Sequence, residues 1–359
     1  MKRTFIVFAI AFLLVGSLAI CKEDVVIDFT LLDTDVTVKN DDGEEGTEEN
    51  SRTLMDYATA AGATFTDEQK GLMKTSLALD NWEVDLNSSA RNPSSLSFSR
   101  VVSAEVSEDS KHSGVAGKNV MGVRIVFPDA RVNANARIVP PFEIPAYETM
   151  VDVDENGNYV VDEEGNRVNS SEVTTTRFEG GYGVVKNVGT IKALSVTTMG
   201  MQYPHALYVL LKDTDNIERR YYMGSLNFDG WKELKWENPN YISDIRTREL
   251  RMYPIYPRGL PFVKFVGFQV VRDAADIGGD FIGYFKDVKI IYDKALLTSE
   301  RDIADEGLWH IVYDREARKQ NEEMRRFGNK QVDRFLEERK QATESQFTSS
   351  LEESEESEQ

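Results

Sequence analysis

An antiparallel β-sandwich is the fold class that this 359-residue sequence predicts, and three observations predict it. Residues 177–297 are dense in short alternating runs separated by Gly, Pro, Asn and Asp. In the last run Val288, Ile290 and Tyr292 fall on one face, with Asp287, Lys289 and Asp293 opposite, the period of a half-buried strand. The run from Trp231 to Trp236 behaves likewise, Leu234 and Trp236 alternating with Glu233 and Lys235. Residues 206–211 are apolar on both faces, as a central strand of a two-layer structure is. No helical period interrupts these runs, and strands spaced only by turn residues pack as antiparallel sheets.

The chain opens with Met1, Lys2 and Arg3, then an apolar run over residues 5–15 and small residues at 16–19. This is the pattern of a secretory signal peptide, expected over residues 1–21 and cleaved after Ala19 or Cys21. The apolar run is too short to span a bilayer, so no stable membrane insertion is expected after cleavage. Bulky Ile20 before Cys21 argues against a lipid anchor there. Cys21 is the only cysteine, so no intrachain disulfide can form and the core must hold the fold.

The β-sandwich domain is expected over residues 22–300. Residues 25–38 alternate weakly, as a first strand, and residues 39–50 are acidic enough to form a mobile loop. Thr66 and Gln69 fit a capping box, and Leu72, Met73, Ser76, Leu77 and Leu79 follow at helical spacing, predicting one short N-terminal helix. Residues 82–86 alternate as a strand. Residues 87–99, rich in Ser, Asn and Pro, read as irregular, and residues 121–127 form a strand stopped by Pro128. Pro140, Pro141 and Pro145 flank an extended segment. Gly180, Gly181 and Gly183 mark a turn or bulge, not a phosphate loop, because no helical pattern follows them.

From residue 302 the period changes. Leu308, Ile311 and Val312 recur at helical spacing, as do Met324, Phe327, Gln331 and Phe335. A C-terminal amphipathic helical extension is expected over residues 301–344, as one helix or two broken near Gly328. Residues 345–359, a Ser/Glu tail with little to bury, are expected to be disordered. The thin apolar stripe admits two arrangements. The helix packs back onto the sandwich, or at least its distal half, residues 324–336, reaches a neighbouring subunit or the core of an assembly. Strand alternation ends before the helix, so removing it beyond Arg315 is expected to leave a folded sandwich.

Net charge is −19, with 61 acidic residues against 42 Lys and Arg. That excludes nucleic acid and anionic membrane surfaces as natural partners. No nucleophile elbow and no Walker or Rossmann glycine pattern occurs, and His112, His205 and His310 lie far apart, so neither an enzyme nor a cofactor is indicated. His205 reads as a structural, hydrogen-bonding residue. Asp152, Asp154, Asn156 and Glu163, with Gly157 at the turn, satisfy the spacing of a calcium loop. The flanks alternate as strands, though, and the hairpin reading, with Asn156-Gly157 as the turn, accounts for them better. Tyr203, Tyr208, Tyr221, Tyr222, Phe228, Trp231, Trp236 and Tyr241 crowd one region. Tyr203, Trp231, Trp236 and Tyr241, with Phe327 and Phe335 on the helix, are the candidate ligand- or partner-binding residues. Such aromatics also serve a carbohydrate-binding module, the alternative function.

Four blocks carry a resemblance: TDEQKGLMKTSLALDNWEVDLNSSARNP (66–93), RFEGGYGVVKNVG (177–189), YYMGSLNFDGWKELKWENPNYISDIR (221–246) and FIGYFKDVKIIYDKALL (281–297). They resemble the FlaA family, the outer-layer or sheath proteins of spirochaete periplasmic flagellar filaments. The resemblance implies a jelly-roll or galactose-binding-like sandwich. It also implies a non-enzymatic, periplasmic subunit whose partners are the flagellin core and other sheath subunits. Glycans carried by the core are a further partner it allows.

Overall fold

The computed structural model describes residues 21–32, 36–39, 45–48, 52–61, 64–146, 178–242, 261–276, 278–295 and 308–357. The signal segment upstream of Cys21 and the calcium-loop or hairpin residues Asp152, Asp154, Asn156 and Glu163 lie outside them. In chain order the strands are β1 (Cys21–Asp28), β2 (Val36–Lys39), β3 (Glu45–Glu48), β4 (Leu54–Asp56), β5 (Lys74–Ser76), β6 (Glu83–Leu86), β7 (Arg100–Glu105) and β8 (Asn119–Val126). They continue as β9 (Ala134–Val139), β10 (Val184–Lys186), β11 (Val188–Met201), β12 (Ala206–Asp213), β13 (Glu218–Ser225), β14 (Asp229–Glu237), β15 (Phe262–Arg272) and β16 (Asp280–Lys294). The helices are α1 (Ala58–Ala61), α2 (Asp67–Gly71), α3 (Pro93–Phe98) and α4 (Ile311–Ser357).

Two antiparallel sheets form the body. The first runs β14-β11-β16-β8-β7, with β1 also on β16; the second runs β13-β12-β15-β9-β6, with β10 also on β15. The two orders correspond position for position, β13 to β14, β12 to β11, β15 to β16, β9 to β8 and β6 to β7. The chain therefore winds back and forth between sheets, as a jelly roll does. Alternation supplies the core: Leu207, Val209 and Leu211 of β12 and Phe265, Phe268 and Val270 of β15 meet Phe281, Phe285, Val288, Ile290 and Tyr292 of β16. The rings of Phe268 and Phe285 stack across the layers at 4.5 Å. Phe29 and Trp82 close one end against Phe265.

The predicted central strand is β12, paired on both sides. Gly180, Gly181 and Gly183 form the turn before β10, each at positive φ. Elsewhere the structure differs from the sequence reading. The capping box of Thr66 and Gln69 is present, but α2 stops at Gly71. The chain then enters β5 and inserts Met73, Leu77 and Leu79 into the core, leaving Leu72 out in solvent. Residues 93–98, expected to be irregular, form α3, because Asn92 and Ser95 cap it reciprocally and Pro93 sits where no N–H is needed. Part of the acidic stretch expected to be a mobile loop is β3, paired with β2. On β16 the supposedly solvated face is not solvated: Asp287 and Asp293 are 1% and 3% exposed.

The C-terminal segment is one helix through Gly328, and its backbone runs to Ser357, over the tail expected to be disordered. Neither Gly nor Pro follows Gly328 before residue 357, so nothing in that stretch stops propagation from the anchored part. Gly328 is a contact point rather than a break, since a Cβ there would overlap the Cβ of Ala60 in α1.

Candidate functional site

The eight aromatics do not converge. Trp231 and Trp236 are five residues apart on β14 and so point to opposite faces. Trp236 packs against the core, its ring edge-on to Tyr221 of β13 at 4.8 Å, where it ties the two sheets together. Trp231 lies on the outer face, 6.1 Å from the ring of His112. Tyr203 stacks on His205 and meets Phe281 of the core. The Tyr241 hydroxyl donates to Asp293 Oδ2 at 2.8 Å, with the Lys192 ammonium over its ring. Tyr203, Trp236 and Tyr241 are thus spent within the chain. Tyr208 and Tyr222 pair separately, their rings 5.2 Å apart and tilted by 50°.

His205 is packed rather than hydrogen-bonded through its ring. It contacts Phe127, Tyr203 and Phe281, and its Nδ1 has no partner among the described residues. Burial first, opposed by Asp276 and aided by Arg272, lowers its pKa and so favours the neutral imidazole. Among the described residues no group of three or more His, Cys, Asp and Glu stands close enough to hold a metal ion.

The helix packs back onto the sandwich, the first of the two arrangements its stripe admits. Phe327 is 9% exposed and belongs to the core, edge-on to Phe142 at 5.3 Å and to Tyr57 at 6.5 Å. Phe335 meets Phe65 at 6.3 Å. Both rings pack α4 against its own sandwich. The stripe also buries Ala317, Gln320 and Gln331.

Charges bind this helix as firmly as rings do. Lys264 of β15, 1% exposed, donates to Glu143 at 2.9 Å and to Glu323 of α4 at 2.5 Å. Lys212, its cross-strand neighbour on β12, donates to the same Glu143 oxygen at 2.8 Å. Further along, Arg334 bridges Glu83 of β6 and Glu338. Between helix and sheet lies a cleft of about 220 Å³, bordered by Glu143, Lys264, Glu323, Arg326, Phe327 and Lys330. Sequence reasoning missed this network, although a single Lys inside the apolar run FVKFV was a signal for it.

Burial by itself would raise the pKa of Glu143, but the hydrogen bonds and charges of Lys212 and Lys264 outweigh it and hold the carboxyl at about 2. A carboxylate with a lower pKa in the folded state contributes stability that is complete above its unfolded value, near 4.5, and is lost as pH falls toward 2. Glu143→Gln should therefore lower the urea midpoint at pH 7, and the gap to wild type should close between pH 4.5 and 2. A gap that stays constant through that window would contradict this assignment.

The family model described as flagellar filament outer layer protein Flaa matches residues 46–301. A flagellar filament outer layer protein of Treponema pallidum (strain Nichols) is 52% identical over 350 residues, covering 98% of this chain and 97% of that protein. A protein of the same description from Spirochaeta aurantia is 39% identical, covering 97% and 95%. A solved carbohydrate-binding module, TmCBM61 in complex with beta-1,4-galactotriose, aligns at a TM-score of 0.24 and 13% identity over 59% of this chain and 88% of that one. A likeness at that score carries nothing about fold or ligand.

Proposed function

The chain belongs to the FlaA family of flagellar filament outer layer proteins, and we propose that it coats the flagellin core of a periplasmic filament as a non-enzymatic sheath subunit. The observation that carries this is the near-complete coverage of the Treponema pallidum relative, sandwich and C-terminal helix alike. The basic and apolar N-terminal segment supports export to the periplasm. The charge supports a soluble subunit before assembly, and a repetitive lattice multiplies weak contacts, so no single interface need be large.

Filaments isolated from cells should carry this chain on their surface, and filaments from a deletion strain should be thinner and altered in stiffness. Recovery of the protein only in the free periplasmic fraction, with unchanged filaments in the deletion strain, would overturn the reading.

A further inference from the structure

The cleft between α4 and the second sheet is lined mostly by charged side chains. Lys264, Arg326 and Lys330 line it against Glu143 and Glu323, with Lys212 paired to the same Glu143 oxygen, in a protein of net charge −19. Both carboxylates are already paired, Glu143 with Lys212 and Lys264 and Glu323 with Lys264. At the mouth Arg326 and Lys330, one helical turn apart, are exposed, and no ion pair joins either to a carboxylate of the described residues. Two adjacent cations left over by a chain with 61 acidic residues point outward, to an anionic partner. At about 220 Å³ the cleft falls below the ~300–1,000 Å³ of small-molecule pockets, and it suits a side chain or two of another polypeptide.

The chain itself carries the complementary element. Residues 344–359 hold Glu344, Glu352, Glu353, Glu355, Glu356 and Glu358 and no Lys or Arg, with Phe347 and Leu351 four apart. The tip cannot reach its own cleft. From Lys330 the helix runs unbroken to Ser357, about 40 Å away at 1.5 Å per residue.

We propose that the acidic end of α4 docks in the cleft beside Arg326 and Lys330 of a second copy of the chain. Donor and acceptor surfaces differ, so the contact is heterologous, and repetition gives an open array rather than a closed dimer. This deepens the coat reading and rests on it for the partner's setting. The experiment uses purified protein, so its failure leaves the filament experiment standing.

A fluorescein-labelled peptide of residues 341–359 is titrated with the purified mature chain and followed by anisotropy. Binding should be strongest near 10 mM salt, where the Debye length is about 30 Å, and should fade as salt rises. The pair Arg326→Glu and Lys330→Glu should weaken it at least ~10-fold, whereas Arg315→Glu with Arg318→Glu, an equal charge change on exposed positions of the same helix, should leave it within about twofold. A peptide with Glu352, Glu353, Glu355 and Glu356 changed to Lys should bind the first variant and not the wild type. Sedimentation of the intact chain should show self-association at low salt that truncation after Thr343 abolishes. Equal weakening by both charge pairs would reduce the effect to net charge and overturn the proposal. So would self-association that survives the truncation, or peptide binding that 1 mM inorganic phosphate displaces from wild type and the Arg326/Lys330 variant alike.

Discussion

Gly267→Ala should cost at least about 3 kcal/mol of stability, far beyond the ordinary price of a single methyl group. Gly267 lies inside β15, opposite Leu210 of β12, at the bulge where that ladder shifts register. Its φ is +153°, and a Cβ there would overlap the carbonyl oxygen of Ile138 in β9, well inside van der Waals contact. The obstacle is backbone on a paired neighbour strand, so relief would require β9 and β15 to part. That pairing carries Phe268 and Val270 into the middle of the core, which spreads the damage. Urea unfolding of the variant should show a much lower midpoint and little change in slope. A loss below about 0.5 kcal/mol would mean that the bulge relaxes at small cost.

The same strands show what the sequence makes legible. Where one face is buried and turn residues bound the run, as in β14, alternation alone locates the strand and its inner face. The misreadings share one physical root, that a local pattern does not say what lies opposite. Met73 and Leu77 satisfy a helical spacing and also the even spacing of one strand face, and pairing with β4 decides between them. Asp287 and Asp293 look solvated from their alternation, yet Lys286 and Tyr241 lie over them. Trp231 and Trp236 sit in one run and read as one cluster, but odd separation on a strand sends them apart. At the helix the stripe Met324, Phe327, Gln331 and Phe335 was visible, while its destination was not. The partners Tyr57, Phe65 and Phe142 are about 180–270 residues away, and no periodicity encodes that.

Removal of the helix should therefore do more than the strand pattern suggests. Truncation after Arg315 exposes Tyr57 and Phe142, which pack on Phe327, and strands the fully buried Lys264 without Glu323. Loss of a buried Phe costs ~3–5 kcal/mol, and loss of one partner of a buried ion pair adds to it. Lys264 keeps Glu143, so the second contribution is the smaller. Against a total stability of about 5–15 kcal/mol, the truncated chain should be marginal rather than a robust sandwich. Two point variants separate docking from helix formation. Phe327→Ala should cost about 3 kcal/mol through the cavity left among Tyr57, Phe142 and the backbone of α4. Gly328→Ala should gain ~1 kcal/mol by helix propensity alone, yet is expected to destabilise by about 1–2 kcal/mol, because its methyl displaces Ala60 and levers α1 off the helix. Ala60→Gly in the same chain should recover most of that loss, a coupling that a double-mutant cycle in urea reads directly. If Gly328→Ala stabilises the protein, or if the truncated chain unfolds at the wild-type midpoint, α4 is an appendage and the packing described between it and the sandwich contributes nothing to the fold.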